Sequence, residues 1–442
     1  MNVKQFEYKP LAHFSYIIES EGEMAIIDPE RNPNQYYEYA HELGATITAV
    51  IETHPHADFI SSHLQIHNET GATIYNSEKL GATYPHQSFN SNKEIKVGNI
   101  TLKAIDTPGH SPDSITIVAK ENSKTYLFTG DTLFIGDVGR PDLREKSGNI
   151  KAKRKELAEM MYDTITHKFT DLPNEAIIYP AHGAGSLCGN NMSDAKSSTL
   201  GEERKENWAF QEQTKEEFIN HLLNNQPFIP SYFSYNVAIN KEGAEHLRKA
   251  FANIDFQMNA NSTNLIVDVR EEKTFKENHI KGSYNIQANS KNAKFETWLG
   301  AIVKPKESFD IIIEKPQDVD KILHRISKIG YEKQLQNIIT LPNQKLTNLP
   351  YLDIEEFKNN LEKYTIVDIR NQSEINNGKI FADALEHPLN DLRATAKEIP
   401  TNKPIVVHCA GGYRSAAGSS IIKQLLPKAT IYDLSDAVKK FQ

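Results

Sequence analysis

Short apolar runs and longer polar stretches alternate along the whole chain. The runs at 15–19, 24–28, 47–53, 99–106, 125–129 and 175–179 have the length and composition of buried strands. A long polar helical region follows from about 200 to 250, and near 255 the strand pattern restarts. The stretch 265–286 has an echo at 365–385. Each copy is an apolar strand ending in Asp-x-Arg: Asp268 and Arg270, then Asp368 and Arg370. That spacing of about one hundred residues predicts a tandem domain, because solenoid repeats are roughly 20–50 residues long. Residues 340–350 read as the linker between the copies. The pattern therefore predicts an α/β chain of three domains, 1–255, 256–345 and 346–442.

The net charge of −8 leaves no basic excess to displace phosphate counterions, which argues against a nucleic-acid partner. The two cysteines, Cys188 and Cys409, cannot form a disulfide framework and suit a reducing compartment. The first residues lack the apolar core of a signal peptide, and no apolar run approaches the roughly 18 residues of a membrane span. The expectation is a cytoplasmic protein without a membrane partner.

Chemistry gathers where strands end. Thr53-His54-Pro55-His56-Ala57-Asp58, Pro108-Gly109-His110-Ser111, Thr129-Gly130-Asp131-Thr132 and Pro180-Ala181-His182-Gly183 each follow an apolar run. Imidazole and carboxylate are the ligands that hold Zn or Fe. A lone His-x-His is more often a surface pair, but four such loops in order point to one metal site. His63 and His67, four apart on a predicted helix, fit solvated or capping roles, and His86 and His167 have no supporting context.

A second centre lies near the other end. Ile405-Val406-Val407-His408-Cys409 is a buried-looking strand, and Ala410-Gly411-Gly412-Tyr413-Arg414-Ser415 opens a helix. This geometry converges backbone N–H groups and a helix N-terminus on the sulfur. With Arg414 it favours the thiolate. Gly411, Gly412 and Tyr413 would line a cradle for a sulfane sulfur or an oxyanion. In the middle copy the corresponding strand is 309–315. No cysteine lies between 189 and 408, so that copy forms no persulfide and has a spacer or docking role.

The four loops closely resemble those of the metallo-β-lactamase superfamily over roughly the first 250 residues. The resemblance implies an αββα sandwich with His54, His110 and Asp131 as metal ligands. The superfamily usually continues its first motif as Asp-His, and Phe59 stands here instead. A second metal site would lack that ligand, leaving one metal on a two-His, one-carboxylate face suited to non-haem Fe(II). The expected cofactor is one Fe(II) per chain, with Zn as a substitute. His56, Asp58 and His182 would orient the ligands. Within the superfamily, Gly136–Leu143 and Gly183–Gly189 resemble segments of persulfide dioxygenases fused to rhodanese and depart from glyoxalase II. Arg140 becomes a substrate-binding candidate. Cys188, six residues after His182, becomes a candidate assisting thiol, for which a partly exposed, electropositive setting is expected, with a small loop-packing role as the alternative.

The C-terminal loop resembles that of rhodaneses, with four residues between Cys409 and Arg414 where phosphatases of similar logic have five. The whole chain thus resembles persulfide dioxygenase–rhodanese fusions: a sandwich followed by two α/β rhodanese-like domains, the first degenerate. The implied activity is oxidation of a low-molecular-weight thiol persulfide by O2 to sulfite. Cys409 then passes a sulfane sulfur to sulfite, giving thiosulfate. Glutathione, coenzyme A and bacillithiol all fit as carrier thiols, and the family implies a dimer or tetramer. Two rival readings are a glyoxalase II-like zinc thioester hydrolase and a non-catalytic sulfur-carrier or persulfide-sensing module. Phe59 opposes the first, and the intact His54, His110 and Asp131 oppose the second.

Overall fold

The computed structural model describes every residue except 92, 142–149, 225, 253, 258–262, 290–292 and 342–345, and not the side chains of 150–152, 255 and 257. Asp142, Leu143 and the centre of the expected linker therefore lie outside the described residues. The chain divides into two compact units, Met1–Ala250 with Ser327–Gly330, and Phe251–Ile326 with Tyr331–Gln442. Among the described residues no helix is long and apolar enough to cross a membrane.

The first unit contains two six-stranded sheets. One runs in the spatial order Asn2–Tyr8, His13–Ser20, Glu23–Ile27, Thr46–Ile51, Thr73–Asn76, Gln87–Ser88. The other runs Ser198–Thr199, Ile177–Pro180, Lys124–Gly130, Ile115–Glu121, Ile100–Asp106, Glu94–Val97. Alternation along the strands explains the layering, because successive side chains point to opposite faces. Tyr16, Ile18, Ala25, Ile27 and Ile51 pack with Leu102, Ala104, Ile117 and Phe128 in one core. Their neighbours Ile17, Met24, Ile26 and Val50 pack with Tyr36, Ala40 and Ile66, from the helices Asn34–Leu43 and His63–Thr70. Val118, Leu127 and Ile178 pack with Ala158, Met161 and Ile165 of the helix Ile150–His167. Strands apolar on both faces must be covered on both, and the result is an αββα sandwich.

The second unit holds two parallel sheets. Their orders are Asp255–Gln257, Leu335–Thr340, Phe309–Ile313, Leu265–Asp268, Tyr284–Asn285, and Leu385–Glu386, Thr365–Asp368, Ile405–His408, Ile431–Asp433. The Asp-x-Arg echo has a physical basis. Arg270 Nη2 lies 2.7 Å from Asp268 Oδ2 and donates to Asn278 O at 2.7 Å. Arg370 Nη2 lies 2.6 Å from Asp368 Oδ2 and donates to Gly378 O at 3.0 Å. Each arginine fastens its strand end to a backbone carbonyl eight residues further on. Losing one partner of such a buried pair costs about 3–5 kcal/mol, so the two residues stand or fall together.

Register identifies the missing nucleophile. Asp368 pairs with His408, immediately before Cys409, while Asp268 pairs with Ile312, immediately before Ile313. The middle copy's counterpart strand, expected over 309–315, forms over Phe309–Ile313. Ile313, buried at 1% exposure, takes the place that Cys409 has in the second sheet.

Candidate active sites

The four His/Asp loops meet at one edge of the sandwich. His54, His110 and Asp131 are buried, and each offers one ligand atom within 4.8 Å of the others. His54 Nε2 and His110 Nε2 each lie 3.6 Å from Asp131 Oδ2. The far side of each ring is engaged. His110 Nδ1 donates to Arg140 O at 2.8 Å. His54 Nδ1 sits 3.1 Å from Thr53 Oγ1, whose own proton goes to Asp28 Oδ2 at 2.8 Å. Both rings thus keep the Nδ1–H tautomer and aim an Nε2 lone pair at one point. Asp131 Oδ2 is buried and accepts no hydrogen bond among the described residues. Two imidazole lone pairs and an unsatisfied carboxylate oxygen form a donor set that fits a metal ion.

A second group, His56, Asp131 and His182, also comes within 4.8 Å. Its members face other partners. His182 Nδ1 is 2.7 Å from Asp131 Oδ1, and its Nε2 is 2.8 Å from Asp58 Oδ2. Burial pulls the His182 imidazole down, but the two carboxylates outweigh it and hold it well above its usual range. His56 Nε2 lies 3.3 Å from Asp28 Oδ1. Phe59 is fully buried, with its ring centroid 4.4 Å from that of His56 and 3.8 Å from that of His13.

The residues between the motifs are shaped by the same centre. A Cβ on Gly139 would come 1.8 Å from Asp131 O and 2.9 Å from His110 Nδ1, so only glycine lets the loop pass behind both ligands. Asp137 accepts from the backbone of Asn190 and Asn191 at 2.9 Å each and from Trp208 Nε1 at 2.9 Å. It anchors the loop that follows His182.

The other centre is the Cys409 loop. Gly412 N–H donates to Cys409 Sγ at 3.1 Å. Gly412 has φ of +100° and begins the helix Tyr413–Leu425, and a Cβ there would meet Asp436 N at 2.7 Å. Arg414 forms a two-armed ion pair with Glu374, at 2.6 and 2.7 Å, and its guanidinium interacts electrostatically with Cys409. Gly411 is exposed, with open space around its α-carbon.

A Metallo-beta-lactamase superfamily model matches residues 8–182, and a Rhodanese-like domain model matches residues 253–328 and 353–442. A metallo-beta-lactamase structure from Staphylococcus aureus subsp. aureus COL is 34% identical, covers 77% of this chain and 99% of its own, and has a TM-score of 0.71. The chain belongs to the metallo-beta-lactamase superfamily. Its C-terminal region carries two rhodanese-like domains. The mitochondrial persulfide dioxygenase ETHE1 of Homo sapiens is 27% identical over 173 residues, 38% of this chain and 63% of that protein. The hydroxyacylglutathione hydrolase GloC of Haemophilus influenzae is 26% identical over 196 residues, 40% of this chain and 87% of that protein. Relatives with two different activities thus match the superfamily domain at nearly equal identity.

Three expectations for this superfamily domain need correction. Arg140 is not displayed to a ligand: it is 1% exposed and its Nη1 donates to Leu187 O at 3.2 Å. What it brings to the site is its carbonyl, on His110. Cys188 does sit in the pocket, within 4.8 Å of ligand atoms of Asp58 and His182. Its setting is the reverse of the exposed, electropositive one expected: it is 1% exposed, and burial followed by the Asp58 and Asp131 carboxylates pushes its pKa well up. His63 is fully buried, its ring 4.4 Å from Tyr84, whereas His67 caps its helix end through Ala72 O at 2.8 Å. In the rhodanese-like part, Tyr413 gives its hydroxyl to Gln287 O at 2.8 Å in the neighbouring copy, while its backbone opens the helix after the Cys409 loop.

Sequence reasoning missed three groups around the metal pocket. Asp28 accepts from Thr53 N at 2.7 Å as well as from its hydroxyl. His13 is buried, and burial, then His182 and His56, lower its pKa well below the usual value. Lys328 is buried, forms an ion pair with Glu30 and lies 4.0 Å over the Tyr8 ring, while its carbonyl accepts from Ile60 N at 2.7 Å. The aspartate that ends the run 24–28 was the only visible signal.

Proposed function

We propose that this chain oxidises a low-molecular-weight thiol persulfide with O2 to sulfite, and that Cys409 transfers sulfane sulfur to sulfite to give thiosulfate. The observation that carries the first half is the triangle of His54, His110 and Asp131 beside a buried Phe59. His54, His110 and Asp131 would hold a single Fe(II), which when bound would supply the one-electron chemistry that lets O2 react with a persulfide. The chain's own groups do the rest. Thr53 and Arg140 O fix the two rings, and Asp58 and Asp131 grip His182 between them. The burial of all three residues of the triangle, and of Phe59 beside them, limits water. The balanced reaction is R–S–SH + O2 + H2O → R–SH + HSO3− + H+, in which the terminal sulfur gives up four electrons to O2.

The second half rests on the Cys409 loop. In the transfer, the bond between Cys409 Sγ and its terminal sulfur breaks and the sulfite sulfur takes that sulfur. The electron pair stays on Sγ, where the Gly412 N–H and Arg414 receive it. We assign the three segments 1–255, 256–345 and 346–442 to dioxygenase, degenerate rhodanese and active rhodanese. The substrates are small sulfur compounds in keeping with the relatives' names.

Anaerobic purification with metal analysis, followed by O2 uptake on a panel of persulfides and a thioester, tests the reading. One iron per chain with persulfide-dependent O2 uptake supports it. Two zinc ions per chain in active enzyme, with thioester hydrolysis and no O2 uptake, would overturn it in favour of the glyoxalase II-like alternative.

A further inference from the structure

The first compact unit is not continuous in sequence. It takes in Ser327–Gly330, which lie inside the cysteine-less copy, where its helix Val319–Ser327 ends and before its strand Leu335–Thr340. This short turn reaches the loop of the first metal motif. Lys328 O accepts from Ile60 N at 2.7 Å. Gly330 has φ of +69°, and a Cβ there would lie 2.9 Å from Ile239 Cδ1 and 3.1 Å from Ile60 Cγ1. Only glycine lets the turn press this closely on Ile60. The Lys328 side chain anchors the turn: it is buried, ion-paired with Glu30 and 4.0 Å over the Tyr8 ring. Burial lowers its pKa well below the usual value, but an amine and a carboxyl group stay bonded whichever of them holds the proton.

The loop it touches leads to a metal ligand. Asp58, Phe59 and Ile60 follow one another and are all buried. Asp58 Oδ2 lies 2.8 Å from His182 Nε2, and His182 Nδ1 lies 2.7 Å from Asp131 Oδ1. The other oxygen of Asp131 is the one that faces His54 and His110. The loop is held elsewhere by the helix Phe233–Glu242. Asn240 Nδ2 donates to His56 O and Phe59 O at 2.8 Å each, and its Oδ1 accepts from Ser61 N at 2.9 Å. A displaced Ile60 therefore has no open space to relax into, and a close-packed interior transmits the strain. It passes along the loop to Asp58, and through His182 to the carboxylate of Asp131.

We infer that the cysteine-less copy supplies a working part of the metal pocket: its turn Ser327–Gly330 sets the loop that carries Asp58, and through Asp58 and His182 it orients Asp131. Lys328 and Gly330 are positioning residues, and neither touches the reacting atoms. The inference rests on reading His54, His110 and Asp131 as a metal site. It deepens the proposed function by giving the copy without a nucleophile a part in the dioxygenase step.

The test uses the full chain, reconstituted anaerobically with Fe(II). In Gly330→Ala and in Lys328→Met, chelator competition should show iron affinity about tenfold lower, the low end for outer groups that orient ligands. The electron paramagnetic resonance spectrum of the nitric oxide adduct should shift in both, because it reports the surroundings of the iron. Cooperative thermal unfolding of the metal-free chain shows that each variant is folded. A double variant separates positioning from a general loss of stability. If the turn acts through Asp58, adding Gly330→Ala to Asp58→Asn should weaken iron binding by less than about threefold further. Fully additive losses, or an affinity and spectrum unchanged in both single variants, overturn the inference and leave the persulfide reading standing. A wild-type chain that takes up no O2 with any persulfide overturns that reading instead, and the affinities still decide whether the turn holds the metal site.

Discussion

Around the metal pocket the nearest charged groups are carboxylates. Asp28, Asp58 and Asp131 lie against four imidazoles, those of His54, His56, His110 and His182, and the local thiol, Cys188, lies among them at 1% exposure. Around Cys409 the neighbouring groups are donors: the Gly412 N–H and the Arg414 guanidinium, which is itself paired with Glu374. One surrounding stabilises a cation and the other stabilises an anion. The chain has only two cysteines, and they sit in different surroundings, one beside carboxylates and one beside an N–H donor and a guanidinium. Residue type alone therefore says little about what a thiol does, and the charge of its neighbours says most of it.

The sharpest way to break this contrast is to empty each centre in turn. His110→Ala removes an imidazole whose Nε2 faces Asp131. Iron content and O2 uptake should fall to background, while polysulfide-loaded Cys409 still converts sulfite to thiosulfate. Cys409→Ser should do the reverse, abolishing thiosulfate but leaving O2 uptake and sulfite release. An oxygen electrode and ion chromatography on the same preparations check both. Loss of both activities in either variant would show that the two centres are not separable.

A smaller effect is expected from Asp28→Asn. The carboxylate accepts from Thr53 N and Thr53 Oγ1, and it lies 3.3 Å from His56 Nε2. An amide cannot accept in all three directions, so the His54 ring loses the partner chain that fixes its tautomer. Iron affinity should drop about 10–100-fold, as for other outer ligand-supporting groups. Competition with a chelator measures it, and sulfur transfer at Cys409 should be untouched.

The ligands were legible because each is a chemically distinctive residue directly after an apolar run, and strand ends converge at one edge of a sandwich. Phe59 was legible because a side chain that cannot ligate interrupts a motif. The copies were legible because the Asp-x-Arg pair is local, two residues apart, and recurs with its strand. Asp28, His13 and Lys328 were not, because nothing beside them in sequence marks them. They reach their sites only when sheets pair or copies pack. The partners of Arg140 and Tyr413 were hidden for a related reason: the Arg140 carbonyl meets His110 and the Tyr413 hydroxyl meets Gln287 O only once the chain is folded.

Arg414 sharpens the anionic side of the comparison. It bridges Glu374 and Cys409, so Arg414→Ala leaves the Glu374 carboxylate unmatched as well as removing the cation. Transfer to sulfite should fall by about 30-fold, from a ~2 kcal/mol loss at a partly buried pair. Arg414→Lys keeps the charge without the two-armed geometry and should lose clearly less. Equal rates for the two variants would remove Arg414 from the cradle.

The smallest effect belongs to Cys188, and it decides whether the contrast between the thiols holds during turnover. Burial and two carboxylates keep its proton on, and a thiol that stays protonated is a poor nucleophile. Its backbone still matters: Cys188 N accepts no role in chemistry but donates to Ser186 Oγ at 3.1 Å, and Cys188 O receives Arg140 N at 3.0 Å. Serine preserves both bonds and nearly the same volume. Cys188→Ser should therefore keep full iron loading and slow sulfite production by less than about tenfold, under ~1.4 kcal/mol of barrier. Mass spectrometry of the wild-type chain, quenched during turnover, should find an added sulfur on the Cys409 peptide and none on the Cys188 peptide. A persulfide trapped on Cys188 would mean that the filled metal pocket reverses the charge its carboxylates set, and that both thiols carry sulfur.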